Sequence, residues 1–407
     1  MASKEKVNNL IKTDWVANFN LIGKAVVNDY TFKIDAKSEK SDWMYNSINL
    51  GVDCGEKYGT VYCELMDGYG TERENYPIYV FGKKEDGTAD FTNSYQIAFE
   101  DRLDQDLVAD VADISLITVG LEKTDKDKTF YNKFLKGYDA IAYAYEHLKD
   151  GMVVNVKGQL KYTVYNGNIQ CRKEINSIVL SQADPEYYHA TFSQSILLDR
   201  DSCTKESLDK NKSVLLVNAY VLEKFKEFNG HDLTEGGKNR GGQFVPLKKT
   251  FEFPVDISTP EGKEKTNKII QKFFKVKKGV TQINFNGEFI ESGATVQTTV
   301  DDLSDDIKEL IDMGIYTEEE AIALCSDNGT RERRMLIRQP IIRKVGPDDK
   351  KVSKPQIFNE KFTEEDLALD CLIPVEEDDV PFDESTDETK EETVVDNLDD
   401  DSWLDQI

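Results

Sequence analysis

Histidine is almost missing from this chain, with three in 407 residues, and six cysteines are scattered at positions 54, 63, 171, 203, 325 and 371. No C-x-x-C pair occurs, so the cysteines outline neither a zinc site nor a dense disulfide framework. No apolar run approaches the roughly 18 residues of a membrane-spanning helix, and mean hydropathy is −0.55. The opening Met1-Ala2-Ser3-Lys4-Glu5-Lys6 lacks the apolar stretch of a secretory leader. These absences lead to the expectation of a cytoplasmic protein with reduced thiols and no membrane contact. Catalytic groupings are also scarce. No histidine stands near a plausible nucleophile, and the acids at Asp301, Asp302, Asp305 and Asp306 fit a helix start as well as they fit metal ligands. The chain is therefore expected not to be an enzyme and to carry no cofactor or metal.

Charge is abundant and unevenly placed. The net charge is −26. Residues 374–407 hold fifteen acids against Lys390, or −14, which leaves −26 − (−14) = −12 for the rest. Within that remainder, 238–278 has eleven bases and four acids (+7), and 331–355 has nine bases and three acids (+6). Residues 301–320 have nine acids against Lys308 (−8). Such segregation permits local phosphate binding on an acidic chain.

Apolar periodicity sets the fold class. The stretches 19–34, 47–52, 60–65 and 79–83 alternate as strands, whereas 131–148 carries apolar residues at helical spacing and closes on Asp150-Gly151. Residues 152–165 and 168–180 alternate on either side of Asn166-Gly167, the favoured two-residue hairpin turn. Three strands, a helix and a hairpin form the element order of an OB fold, a small five-stranded barrel. The second half repeats that order. Strands are expected at 189–198, 213–222 and 244–257, followed by a helix capped by Thr259 with Pro260 at its first position. A strand at 280–290 and its partner at 334–343 complete it. The sequence thus reads as mainly β with helical insertions: tandem OB-fold barrels at 15–183 and 187–346 after an arm, 1–14. Insertions fall at about 84–130 and 301–328, and a linker, 347–373, leads to an acidic tail, 374–407. Beyond about 355 the composition is that of a disordered chain.

Three short segments resemble bacterial and phage single-stranded DNA-binding proteins. Asn20-Leu21-Ile22-Gly23-Lys24-Ala25-Val26 is similar to their opening strand, Tyr79-Val80-Phe81-Gly82-Lys83 to their third, and Leu148 through Leu160 to the strand after their helix. The long insertion and second barrel resemble a phage-type member, whose compartment would be the bacterial host cytoplasm. The resemblance implies a groove where bases stack on strand aromatics while Lys and Arg follow the backbone, and it leaves room for a homo-oligomer. Stacking candidates are Trp43, Tyr45, Tyr62, Tyr79, Phe81, Tyr162 and Tyr165, each with an alternative place in the core.

Phosphate candidates lie in two basic segments. Lys238 and Arg240 sit in a glycine-rich loop with Lys248 and Lys249 just after it. The loop lacks the Gly-Lys-Ser/Thr ending of an ATP-binding loop. Arg334, Arg338 and Lys344 lie on or beside the last strand, where pairing with the acidic 301–320 segment is the competing reading. The tail places apolar residues directly after acidic runs, at Pro381-Phe382 and at Trp403, Leu404 and Ile407. Such a peptide suits an apolar pocket ringed by bases on replication or recombination proteins. The expected function is protection of single-stranded DNA with recruitment through the tail. Strand annealing and a purely protein-binding scaffold are the alternatives.

Overall fold

Alternating apolar residues give each strand one face to bury, and the pairing of those faces organises the molecule. The computed structural model describes residues 9–70, 72, 76–234, 241–291, 333–346 and 351–368, with 308, 311, 313, 317 and 318 between them. The fold is mainly β. Its first half contains β1 (Ala17–Val26), β2 (Phe32–Lys37), β3 (Met44–Asp53) and β4 (Thr60–Tyr69). A long excursion follows, made of β5 (Ile78–Lys83), β6 (Ala89–Ile97), α1 (Gln105–Ala109), β7 (Ile117–Lys123) and β8 (Thr129–Phe134). The chain then forms α2 (Gly137–His147), β9 (Val153–Tyr165) and β10 (Asn168–Leu180).

The pairings of this half close into a circuit. β1 pairs with β3, β3 with β4, β4 in parallel with β10 at Glu64↔Glu174, β10 with β9, and β9 with β1. The β9–β10 turn at Asn166-Gly167 has both residues at positive φ, 49° and 74°, as the Asn-Gly pair predicts.

The second half repeats the circuit. Its strands are β11 (His189–Leu198), β12 (Leu208–Asp209), β13 (Val214–Phe225), β14 (Glu227–Phe228), β15 (His231–Asp232) and β16 (Gln243–Pro254). After α3 (Pro260–Ile269) come β17 (Val280–Ile290), β18 (Arg334–Pro340), β19 (Ile342–Val345), β20 (Val352–Pro355) and β21 (Ile357–Phe362). Thr259 caps α3 by accepting from the Gly262 N–H at 3.0 Å. β11 pairs with β13, β13 with β16, β16 in parallel with β18 at Glu252↔Leu336, β18 with β17, and β17 with β11.

The two circuits match in register. Phe19 faces Gly158 in one and Phe192 faces Gly287 in the other, and each has an irregularity beside that glycine. Arg172 bonds Glu64 in the first circuit, and Arg334, in the corresponding place, bonds Glu252 in the second. β1 and β11 join the circuits antiparallel, with Phe19 opposite Phe192. One continuous apolar core runs through both circuits.

Several elements differ from the sequence expectations. Tyr79–Lys83 does not join the first circuit. Its third strand is β4, and β5 pairs with β6 over a separate small core of Val80, Ile97, Val108, Val111, Leu116 and Leu135. The excursion supplies that core, so β5 has apolar partners without entering the circuit. The helix begins at Gly137, because 129–134 pairs with β7 as a strand. Residues 357–367 are folded: β21 pairs with β17, and Phe362 and Leu367 are buried with Leu10 of the N-terminal arm, while 369–407 lie outside the described residues. Three well-placed apolar side chains outweigh the polar composition around them. The 301–328 insertion falls almost wholly outside the described residues. Among the described residues no helix is long and apolar enough to cross a membrane.

Candidate nucleic-acid interface

The end of β4 reads Asp67-Gly68-Tyr69-Gly70, an unusual glycine density for a strand. A Cβ on Gly68 would lie 2.8 Å from the Tyr45 Cβ, and one on Gly70 would lie 2.8 Å from the Tyr76 hydroxyl. Bare backbone at Gly68 lets β3 approach closely, with the Met44 carbonyl oxygen 2.1 Å from where a Cβ would stand, and at Gly70 it lets the Tyr76 ring lie directly on the chain. The result is a groove of about 480 Å³ between the start of β3, the end of β4 and the start of β5. Trp43, Tyr76 and Tyr79 line it above a floor of Tyr69 and Phe99. Among the described lining residues Lys136 is the one charged side chain.

The floor is rigidly braced. The Tyr69 ring lies 4.8 Å from Phe99 and 5.0 Å from Tyr138 between centroids. Arg102 stacks 4.1 Å over Phe99 and is held by Asp139 at 2.8 Å. Tyr138 donates to Asp35, and burial together with that bond pushes its phenol pKa upward. Lys136 pairs with Asp67 at 2.7 Å, so the groove is close to neutral. The rim is open: Tyr79 is 72% exposed and Tyr76 43%.

Tyr79 and Phe81 share one parity of β5, and the strip continues as Phe81 meets Phe91 edge-on at 5.2 Å. Trp43, Tyr79 and Phe81, three of the sequence candidates, thus belong to one aromatic surface. Tyr45 is half-buried on β3 opposite Gly68. Tyr62 lies toward the other end of β4, in a smaller hollow shared with Arg172, Lys173 and Arg333. Tyr165 is exposed at the β9–β10 turn, outside the groove. Tyr162 is a correction. It is 2% exposed and donates to Gln194 at 3.0 Å, since it shares the inward parity of Val154, Val156 and Leu160.

The basic candidates divide. Lys238 and Arg240 lie outside the described residues, as do Pro381, Phe382, Trp403, Leu404 and Ile407 of the tail. Lys248 is exposed, whereas burial lowers the pKa of neighbouring Lys249, which packs near Cys171 and Lys173. Arg334 bonds Glu252, and Arg338 bonds Glu288 at 2.7 Å, a carboxylate shared with Lys57. The carboxylates that hold both arginines come from adjoining strands, β16 and β17, while 301–320 lies almost wholly outside the described residues. Lys344 is exposed on β19.

Tyr76, Tyr69 and Lys136 were not singled out by sequence. The Gly68-Tyr69-Gly70 spacing was the available signal, because glycine inside a strand marks a close approach. Among the described residues no cluster of three or more His, Cys, Asp or Glu is placed to hold a metal ion. No family model matches the chain, and no curated protein matches it either.

Proposed function

We propose that this chain binds single-stranded DNA without strong sequence preference, each strand circuit acting as an OB-type barrel. The observation that carries the reading is the open aromatic strip beside the first circuit, built from Trp43 before β3, Tyr76, and Tyr79 and Phe81 of β5. Every base has a π-face, so such a strip holds unpaired bases at about 1–3 kcal/mol per stacked base, whatever the sequence. Bases in a duplex are already stacked on one another and cannot enter it.

The repeated circuit supports the assignment. In both halves the strands close in the order first, second, third, fifth, fourth, with a helix between third and fourth, which is the order of an OB barrel. The halves differ in surface chemistry. Where the first circuit carries Trp43 and Tyr45 leading into its second strand, the second carries Lys210 and Lys212 leading into β13. Base stacking is thus assigned to the first circuit. The acidic tail with its apolar end residues recruits replication or recombination proteins.

Titration of the intact chain with a labelled oligothymidine and with a duplex of equal length tests the reading. Preference for the single strand is expected, with affinity falling as salt rises. Equal affinity for the two, or no binding to either, would defeat it.

A further inference from the structure

Strand β18 stops at Pro340 and β21 begins at Ile357, yet β17 pairs with both, and its register runs on across the break from Phe285 to Gln282. Phe285 faces Pro340, Ile283 faces Ile357, and Gln282 faces Phe358. Between them, Asn284 has a composite partner. Its carbonyl accepts from the Ile341 N–H at 2.7 Å, and its N–H donates to the Gln356 carbonyl at 3.1 Å. The Gln356 N–H closes the gap by donating to the Ile341 carbonyl at 2.8 Å. One continuous strand has therefore been opened at a single residue, and the β19–β20 ribbon has been inserted there.

The ribbon has no core. Every described residue of β19 and β20 is exposed, including Ile342 at 66%, Val345 at 55% and Val352 at 56%. Arg343 stands directly opposite Lys354, and Val345 opposite Val352. Strand alternation puts these four side chains on one face. Like charges facing each other destabilise a strand pair, and a lone two-stranded hairpin is marginal even without them. The ribbon's own stability does not account for these residues.

Among the described arginines, every one but Arg343 has a carboxylate partner. Arg102, Arg172, Arg334, Arg338, Lys136 and Lys173 all sit against carboxylates. Among the described residues, Arg343, Lys344 and Lys354 have no such partner. By sequence, 342–355 holds five bases (Arg343, Lys344, Lys350, Lys351, Lys354) and two acids (Asp348, Asp349), or +3, on a chain of −26.

The geometry points to this ribbon as a nucleic-acid limb. It grips the phosphodiester backbone of the strand bound by this chain, with Arg343 and Lys354 sharing phosphates and the valine pair covering sugar edges. A polyanion with one charge per nucleotide relieves the repulsion between the two cations, and each phosphate bound releases condensed counterions. The assignment rests on the proposed single-stranded DNA reading and adds to it a phosphate-binding element separate from the aromatic groove.

The register supplies a clean deletion. Removing 341–355 joins Pro340 to Gln356, whose N–H and C=O then both face Asn284 while its side chain keeps its own bond to Asn284. Binding of a labelled oligothymidine is measured from 0.1 to 1 M NaCl for the intact chain, the deletion, and an R343E/K354E variant in case the deletion does not fold. Losing Arg343, Lys344 and Lys354 in the deletion should flatten the log–log salt slope by about 2, at roughly 0.7 per phosphate, and losing Arg343 and Lys354 in the double variant by at least about 1.4. Affinities of the intact chain and the deletion that agree near 1 M salt should then differ by about 100-fold at 0.1 M.

An intact chain that binds while both variants keep its slope would overturn the ribbon assignment and leave the groove standing. The same holds if removing 374–407 tightens binding only when the ribbon is present and the ribbon variants otherwise bind normally. The ribbon would then serve the chain's own tail. An intact chain that binds no oligonucleotide would overturn both proposals.

Discussion

Replacing Gly158 by alanine tests the seam between the two circuits. A Cβ there would lie 1.9 Å from the Glu174 carbonyl oxygen and 2.7 Å from a ring carbon of Phe19. Ordinary contact needs about 3.5 Å, so β9 and β10 must separate by more than 1 Å beside the irregularity at Ile175 and Ser177. Overpacking of this kind costs about 1–3 kcal/mol, and disrupting one adjoining ladder bond adds about 1 kcal/mol. A loss of about 2–4 kcal/mol is expected in a urea titration followed by tryptophan fluorescence. The corresponding Gly287→Ala places its Cβ 2.3 Å from the Phe192 ring and 2.5 Å from the Leu336 carbonyl. A ring yields more readily than backbone, so adding Phe192→Leu should recover part of that loss, whereas Phe19→Leu should recover little at Gly158. If Gly158→Ala stays within about 0.5 kcal/mol of the parent, the close packing of Phe19 on β9 is wrong, and with it the matched seam.

Lys173 pairs with Glu291, which is 4% exposed, at 2.9 Å. Lys173→Met should therefore destabilise the chain by up to about 3–5 kcal/mol, and adding Glu291→Leu should restore much of that in the same titration. Burial alone would raise the pKa of Glu288, but its bonds from Lys57 and Arg338 outweigh burial and lower it. Its stabilisation is complete above the ordinary carboxylate range and is lost as pH falls through the depressed value. Glu288→Gln should accordingly flatten the acid limb of a stability–pH curve, and an unchanged limb would count against this triad. Burial pushes the thiols of Cys54 and Cys203 up to about 12 and raises that of Cys63 further. All three should resist a thiol reagent at pH 8 until the chain is unfolded, as mass mapping of labelled peptides would register.

In the second half, β11, β13, β16, β17 and α3 were legible in the sequence, whereas the break of 334–343 into β18 and β19 and the strands after it were not. Thr259-Pro260 marked the start of α3, and the strand at 280–290 was recovered because its apolar run and flanking Lys278-Gly279 are local signals. Local signals also located the β9–β10 hairpin. What they could not reveal was partnership. Tyr79–Lys83 has the alternation of a circuit strand, but pairing is decided by which apolar face lies opposite. The excursion through Leu116 and Leu135 captured β5 instead. Tyr162 was legible in principle, since it shares parity with Leu160 on β9 and a place in the core was its open alternative. The folded end at 357–367 escaped because composition averages over a window, whereas Phe362 and Leu367 each meet a specific partner. The groove needed contacts distant in sequence: Trp43, Gly68, Tyr79 and Phe99 meet only once β4 and the excursion are in place.

Tyr79 offers the most direct test of base stacking on the first circuit. Its ring is 72% exposed on the groove rim, so Tyr79→Ala removes stacking surface without opening the core. The measurement is the affinity of Tyr79→Ala and of the intact chain for the same oligothymidine across a salt series, with thermal unfolding of both proteins alongside. A loss of about 1–3 kcal/mol, or roughly 5- to 150-fold, is predicted, with the salt slope and the unfolding temperature unchanged. Equal affinities, or a loss that vanishes at high salt, would contradict the account.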